Sequence, residues 1–191
     1  MVKLGRGAVV LTLCGACVLA AAGGALAAKG RRGHKSMELT SAAFKAKASI
    51  PKRHSCEGED LSPALSWTGL PPKTQSLALI VDDPDAPPGT WVHWVLYDLP
   101  AGLKGLEEGV AKTESLPDGA KQGLCWGVDE FDRVGYYGPC PPPGKPHRYF
   151  FKLYALDKKP GLPAGATKDQ LLAAMKGHVL GQAELIGLYQ R

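Results

Sequence analysis

The sequence lacks the motifs that usually mark covalent or metal-dependent catalysis. Beyond the N-terminal segment it has no Cys-x-x-Cys pair, and it has no His-Glu-x-x-His run and no Gly-x-Ser-x-Gly elbow. These absences disfavour an enzyme that depends on a bound zinc ion or an activated serine, and we expect neither a resident metal nor a cofactor. Internal repeats are also missing, so we expect the 191 residues to form one domain.

A surplus of charge of one sign is missing from most of the chain as well. The formal net charge is +5, but six basic residues and no acidic residue lie in the first 35 positions. From Ser36 onward the formal charge is therefore −1, which does not suit a nucleic-acid-binding surface. Four of the six form a Gly-rich tether that permits weak contact with a membrane surface, although a solvated linker is the plainer interpretation. They are Lys29, Arg31, Arg32 and Lys35.

The first 27 residues have the pattern of a secretory signal. Lys3 and Arg6 precede an uncharged stretch, and Ala25-Leu26-Ala27 offers a cleavage site. Lipidation at Cys17 and retention of the uncleaved stretch as a membrane anchor are the alternatives, and each of the three places the domain outside the cytoplasm. The expected parts are a signal peptide, a basic linker and a folded domain, over residues 1–27, 28–37 and 38–191.

Cysteine is scarce and odd in number once the signal is removed. Cys56, Cys125 and Cys140 remain, in a compartment that permits disulfides. We expect one bridge, with Cys125 to Cys140 slightly ahead of Cys56 to either partner, because Cys125 and Cys140 share one long excursion. Three free thiols, buried or lining a pocket, are the alternative.

Long helical patterns are also few, and the chain instead predicts a β-rich domain, all-β to α+β. Its 16 prolines and 24 glycines mostly separate short apolar runs. One helix is predicted from a capping box at Thr167 to Gly177. The 26-residue excursion 121–146 is long enough to be functional. The predicted strands are 37–48, 65–67, 76–81, 93–99, 147–157 and 183–190.

The candidate site residues lie where two of these strands meet Pro-rich loops. Asp83 and Asp85 follow an apolar strand and flank a proline, and His93 opens the next strand. A second His-led strand begins at His147 after another Pro/Gly stretch. If both strands belong to one sheet, two imidazoles and a carboxylate meet at its rim. Arg148 alternates to the other face and is expected to form a structural ion pair.

Three motifs resemble the phosphatidylethanolamine-binding protein (PEBP) family. They are Leu79–Pro87, His93-Trp94-Val95 and Gly138–Tyr149. Further stretches are similar to its bacterial, Raf-kinase-inhibitor-like branch of the YbhB/YbcL type, namely Cys56–Pro63, Leu65–Trp67, Phe151–Asp157 and Gly177–Leu180. The resemblance implies a large antiparallel sheet packed beside a smaller one, a short helix near the C-terminus and an anion pocket at the sheet end.

Residues of this implied pocket follow from their positions in the motifs. The pocket would take Asp83, Pro87, His93, Gly138, His147 and Tyr149, with Trp91 and Pro139 on its wall. Asp85 is expected to brace the loop, and Trp126 to pack in the core or at the rim. Two imidazoles, a phenol and Gly-rich backbone N–H groups provide donors for an anion, while Asp83 orients one imidazole.

Three functions follow as hypotheses, in decreasing order of support. The first is an exported binding protein for a small anion, which includes phosphate, a phospholipid headgroup or a phosphorylated group. The second is an inhibitor or modulator of a peptidase or another partner protein, a role found in the family. The third is a hydrolase that uses Asp83 with His93 or His147, which the missing nucleophile and metal motifs disfavour.

Overall fold

The structure is a computed structural model, and it describes residues 36–126 and 133–191. The predicted signal peptide, Cys17 and the four basic tether residues lie outside the described residues. No helix within the described ranges is long and apolar enough to cross a membrane.

Ten strands and one α-helix make up the described domain. The strands are β1 (Glu38–Ser41), β2 (Leu65–Thr68), β3 (Ser76–Asp83), β4 (Trp91–Pro100), β5 (Gly105–Leu106), β6 (Lys121–Gln122), β7 (Leu124–Cys125), β8 (Arg133–Val134), β9 (His147–Leu156) and β10 (Val179–Tyr189). The helix α1 is Lys168–Met175, and a single 3-10 turn occupies Lys52–His54.

A five-stranded antiparallel sheet forms the centre of the fold, in the order β10-β9-β3-β4-β6. A three-stranded sheet, β1-β2-β5, packs on one face, and β7 and β8 form a two-stranded ribbon. The prediction of a β-rich domain with a large and a smaller antiparallel sheet and a short C-terminal helix is confirmed.

Strand β3 is buried along its whole length because both of its faces are covered. Leu77, Leu79 and Val81 join the core beneath the smaller sheet, whereas Ala78 and Ile80 face the core that α1 closes. Burial on both faces explains why β3 reads as a continuous apolar run rather than an alternating one.

The N-terminal strand is much shorter than the prediction of 37–48. It ends at Ser41, and Lys47 adopts a left-handed conformation with φ 62°. The following backbone pairs along the edge of β10, where the N–H groups of Lys47 and Ile50 donate to the carbonyls of Ile186 and Leu188. The apolar residues that suggested one long strand therefore cover two different sheets.

The other elements follow their local signals, with shifted ends. Thr167 accepts a hydrogen bond from the Gln170 N–H and the Gln170 side chain accepts one from the Thr167 N–H, so the predicted capping box is present. Strand β10 starts at Val179, four residues before the predicted start at Ala183. The described part of the excursion 121–146 contains three two-residue strands, β6, β7 and β8.

The prediction of a Cys125–Cys140 bridge is wrong. Cys140 is joined to Cys56, with the two Cα atoms 5.4 Å apart, and this pairing was among the alternatives. Cys125 is a free thiol with no exposed surface, and its Sγ lies 3.2 Å from the carbonyl oxygens of Arg133 and Gly135. The prediction relied on the short separation of Cys125 and Cys140 along the chain. In the structure β7 places Cys125 in the core beside β4, whereas Cys140 lies in the loop that precedes β9.

This bridge yields a first prediction, for the Cys56→Ser/Cys140→Ser double variant. It should lower the free energy of unfolding by about 2–5 kcal/mol, because the bridge constrains a long loop of the unfolded chain. Denaturant unfolding with and without reductant measures this, and reductant should affect only the wild type. Peptide mapping that found Cys125 in a bridge would contradict the assignment.

Candidate functional site

One end of the central sheet collects the candidate residues because β3 runs antiparallel to both of its neighbours. Asp83 ends β3, while His93 and His147 lie at or near the starts of β4 and β9. In the register, Asp83 is opposite Trp91 of β4. The end of one strand thus meets the beginnings of two others at a single rim.

A cavity of about 210 Å³ opens at this rim. We call its polar residues, Asp83, His93, His147 and Tyr149, the floor of the cavity. The walls around the floor are mostly aromatic rings and prolines. The lining residues are Asp83, Ala86, Pro87, Pro88, Trp91, His93, Trp126, Tyr137, Gly138, Cys140, Pro141, Pro142, His147 and Tyr149.

Asp83 and His147 form a buried pair on the floor. Their exposed fractions are 3% and 9%, and Nδ1 of His147 donates to Oδ2 of Asp83 over 2.7 Å. The other carboxylate oxygen, Oδ1, accepts the backbone N–H of Asp85 at 2.8 Å. Both oxygens of Asp83 therefore act as acceptors. The bond to Nδ1 fixes the orientation of the His147 ring, and the other ring nitrogen, Nε2, remains available to a ligand.

His93 is held differently. Its Nδ1–H donates to the Tyr137 carbonyl over 2.5 Å, and the Tyr137 N–H donates back to the His93 carbonyl at 3.0 Å. The side chain is 5% exposed, and burial lowers the pKa of His93 even though the Tyr137 bond and nearby carboxylates oppose that shift. Burial thus favours the neutral form of His93, and in that form Nδ1 carries the hydrogen and Nε2 carries a lone pair. The sequence predicted two donor imidazoles, but the Nδ1 donor of this one is already used.

Tyr149 completes the floor. It is 1% exposed, its ring stands edge-on to His93 at 5.2 Å between centroids, and its hydroxyl makes no hydrogen bond of ordinary geometry to a described residue. Burial, followed by the charge of nearby Asp83 and a hydrogen-bonding interaction with that carboxylate, raises the pKa of Tyr149. The hydroxyl is thus a protonated donor that lies close to Asp83 and is not held by a hydrogen bond of ordinary geometry.

The Asp85–Arg148 pair lies just outside the lining. Oδ2 of Asp85 accepts the backbone N–H and Nε of Arg148 at 3.0 and 2.8 Å, and Oδ1 accepts Nη2 at 2.7 Å. These bonds lower the pKa of Asp85 to about 2. The pair ties the Pro-rich loop after β3 to the start of β9, next to His147, which is the bracing role expected of Asp85 and Arg148.

Gly138 and Pro139 anchor the wall of the cavity to neighbouring loops, a role that the sequence did not indicate. A Cβ at Gly138 would lie 2.1 Å from the His54 carbonyl oxygen, so only glycine fits there. Its N–H donates to Asp60 at 2.7 Å and is not offered to a ligand. Pro139 does not line the cavity as expected; its carbonyl instead accepts the Cys56 N–H at 3.1 Å.

Trp126 and Tyr137 are lining residues from the excursion 121–146, and of the two the sequence singled out only Trp126, as a core or rim residue. Tyr137 contributes a wall and the carbonyl that fixes His93. Trp126 lines the cavity and meets Trp91 edge-on at 5.0 Å, and the Trp91 indole N–H donates to the Trp126 carbonyl. The length of the excursion 121–146 and the motif at Gly138 suggested that it would reach the site, but neither indicated Tyr137.

Cys125 stands in a Gly-x-Cys-x-Gly spacing that resembles a nucleophile elbow. The structure gives it no such role, since it is fully buried, does not line the cavity and has a pKa that burial raises to about 12. Among the described residues, no three His, Cys, Asp or Glu side chains are arranged to hold a metal ion.

Comparison with known proteins finds one family. The model of the family described as Phosphatidylethanolamine-binding protein matches residues 40–190. Similar curated proteins include a UPF0098 protein of Methanothermobacter thermautotrophicus, 52% identical over 81% of this chain and 99% of the relative. A UPF0098 protein of Chlamydia trachomatis is 42% identical over 81% of this chain and 99% of the relative.

Solved structures agree with this result. A crystal structure of a PEBP homologue from Chlamydia trachomatis matches with a TM-score of 0.73 and 43% identity, covering 82% of this chain and 98% of that one. The structure of Escherichia coli YbcL, described as a member of the mammalian PEBP family, matches with a TM-score of 0.73 and 32% identity, covering 82% and 99%.

The brace beside the floor yields a second prediction, for Arg148→Met. Because the folded-state pKa of Asp85 is depressed, its ion pair stabilises the fold above the ordinary carboxyl range, and this stabilisation is lost as pH falls from about 4 towards 2. The variant should therefore unfold more easily than wild type at pH 5, and the difference should vanish near pH 2.

Thermal unfolding between pH 2 and pH 6 tests this, with Asp85→Asn and the double variant as controls. If the pair acts as one unit, the second substitution adds little to the first. A stability difference that stays constant across the pH range would show that Arg148 acts through packing instead.

Proposed function

Because the chain belongs to the phosphatidylethanolamine-binding protein family, we propose that it is a binding protein that holds a small oxyanion in the cavity at the sheet rim. Phosphate, a phosphorylated group and the phosphate of a lipid headgroup share the required chemistry. The observation that carries the proposal is the buried Asp83–His147 pair, which lines the cavity together with Tyr149, whose hydroxyl makes no hydrogen bond of ordinary geometry to a described residue.

Donors on the floor suit an oxyanion. When His147 is protonated, its Nε2–H is a charged donor, and charge-assisted hydrogen bonds are about twice as strong as neutral ones. Asp83 balances that imidazolium and does not repel the ligand strongly, since both of its oxygens already accept hydrogen bonds. The Tyr149 hydroxyl adds a second donor on the floor of the cavity.

Size and wall composition also fit. A cavity of about 210 Å³ accommodates a phosphate-sized group, and the prolines and tryptophans around it give it largely apolar walls. The apolar wall allows a substituent on the oxyanion to lie against Trp91 and Trp126.

We further propose that the protein acts outside the cytoplasm. Support comes from the signal-like residues 1–27 and from the Cys56–Cys140 bridge, since disulfides persist mainly in oxidising compartments. N-terminal sequencing of protein recovered from its native host should return a chain that begins near Ala28. Recovery of Met1 or of a lipidated Cys17 would replace cleavage with one of the alternatives.

The function is tested by His147→Gln. This substitution removes the charged donor, and phosphate binding should weaken by about 1.5–3 kcal/mol, which is roughly 10- to 150-fold. Isothermal titration with inorganic phosphate at pH 6 measures the affinity, and thermal melts measure stability.

The matched control is His178→Gln. His178 pairs with Asp157 over 2.9 Å in the same way, but at the opposite end of β9 and outside the cavity. It should leave phosphate affinity unchanged. Equal affinities for wild type and His147→Gln would refute the proposal, and turnover of a phosphate ester that is lost in His147→Gln would favour the hydrolase instead.

A further inference from the structure

His93 is the one floor residue that the proposed anion site does not explain. Its only ring donor is spent on the Tyr137 carbonyl, and its remaining nitrogen, Nε2, makes no hydrogen bond to a described residue while the ring lines the cavity. The lone pair of this nitrogen repels an anionic oxygen of a bound ligand. The contact becomes favourable only if the ligand oxygen carries a hydrogen that it can donate to Nε2.

The acidic surroundings of His93 do not force a second proton onto the ring. Three carboxylates act on it, those of Asp60, Asp82 and Asp83. Each already has its own partners. Asp60 accepts from Lys112 and the Gly138 N–H, Asp82 from Lys152 and Lys168, and Asp83 from His147 and the Asp85 N–H.

From this pattern we propose that the cavity selects oxyanions that retain one acidic O–H, with His93 as the acceptor that recognises it. The ligand class is then the singly protonated form of inorganic phosphate or of a phosphate monoester. Sulfate and phosphodiesters, which carry no such hydrogen, are disfavoured. This inference rests on the proposed oxyanion-binding function and narrows it, because an intact diester phospholipid falls outside the preferred class.

Donors and acceptors on the floor match this ligand in number and in kind. Tyr149 and protonated His147 donate to two anionic oxygens, and Nε2 of His93 accepts from the third, protonated oxygen. Charge matches as well. The floor pairs the His147 ring with the Asp83 carboxylate and holds no other cationic side chain among the described lining residues, so a singly charged ligand leaves less uncompensated charge buried than a dianion.

Sites built to hydrogen-bond a ligand hydroxyl reject analogues that lack it, because a buried polar group is then left unpaired. The discrimination should therefore appear as a ratio of affinities at a single pH. Protonation of His147 affects every anion that it contacts, so it largely cancels in such a ratio.

The test is isothermal titration of wild type at pH 6 and constant ionic strength with three probes. Methyl phosphate carries the O–H in about half of its molecules at this pH. Dimethyl phosphate is a monoanion without the O–H, and sulfate is a dianion without it. Methyl phosphate should bind at least tenfold more tightly than either, and dimethyl phosphate separates the effect of the hydrogen from that of charge.

A His93→Met variant assigns the selectivity to its residue. Methionine removes the ring nitrogen acceptor and replaces the imidazole with a flexible side chain of similar size, so the ratio of methyl to dimethyl phosphate affinity should fall to near one. If the variant does not fold, the three affinities of the wild type still decide the question.

Two results would overturn the inference, and they are distinguishable. Binding of dimethyl phosphate or sulfate within threefold of methyl phosphate would remove the selectivity and leave the oxyanion site intact. Failure of all three probes to bind would remove the oxyanion site together with the selectivity.

Discussion

Two adjacent buried carboxylates at the end of β3 impose the constraint on which the site depends. A buried charge is costly unless it is paired, and the alternation of the strand sends Asp82 and Asp83 to opposite faces. On one face Asp82 binds Lys152 of β9 and Lys168 of α1, at 2.7 and 2.5 Å. On the other face Asp83 binds His147. Pairing these charges fixes α1 and the start of β9 against β3, and the floor of the cavity is a consequence of that arrangement.

The wall of the cavity is positioned by a different set of interactions, all of which anchor the segment that precedes β9. Tyr136 donates to the His54 carbonyl, the Gly138 N–H binds Asp60, and the disulfide joins Cys140 to Cys56. On its other side the same segment pairs with His93 through Tyr137. A segment held from both sides presents a fixed carbonyl, and this is what sets the tautomer of His93.

The sequence predicted best what depends on local pattern. The capping box at Thr167 identified α1, and the apolar runs located β3, β4 and β9, because those signals act within a few residues. Its predictions were poorest for contacts between residues that irregular loops bring together. The partner of Cys140 lies 84 residues away in another loop, and no spacing rule reports that distance. The hydrogen-bond partner of His93 could not be predicted for the same reason, since it is a backbone carbonyl 44 positions further along the chain, and any residue type carries such a carbonyl.

The charges around the floor bear on whether the site only binds its ligand or also hydrolyses it. Asp83 and His147 have the geometry of an orienting carboxylate and a base, with Nε2 free for a proton. Hydrolysis also requires groups that stabilise the additional charge of the transition state. The Gly138 N–H, a natural candidate, is held by Asp60, and the Arg148 guanidinium is held by Asp85. The donors that we propose for the ligand are the His147 imidazole and the Tyr149 hydroxyl, and this pair suits the charge of a ground-state oxyanion better than that of a more highly charged transition state. That match is our reason for proposing that the site retains its ligand.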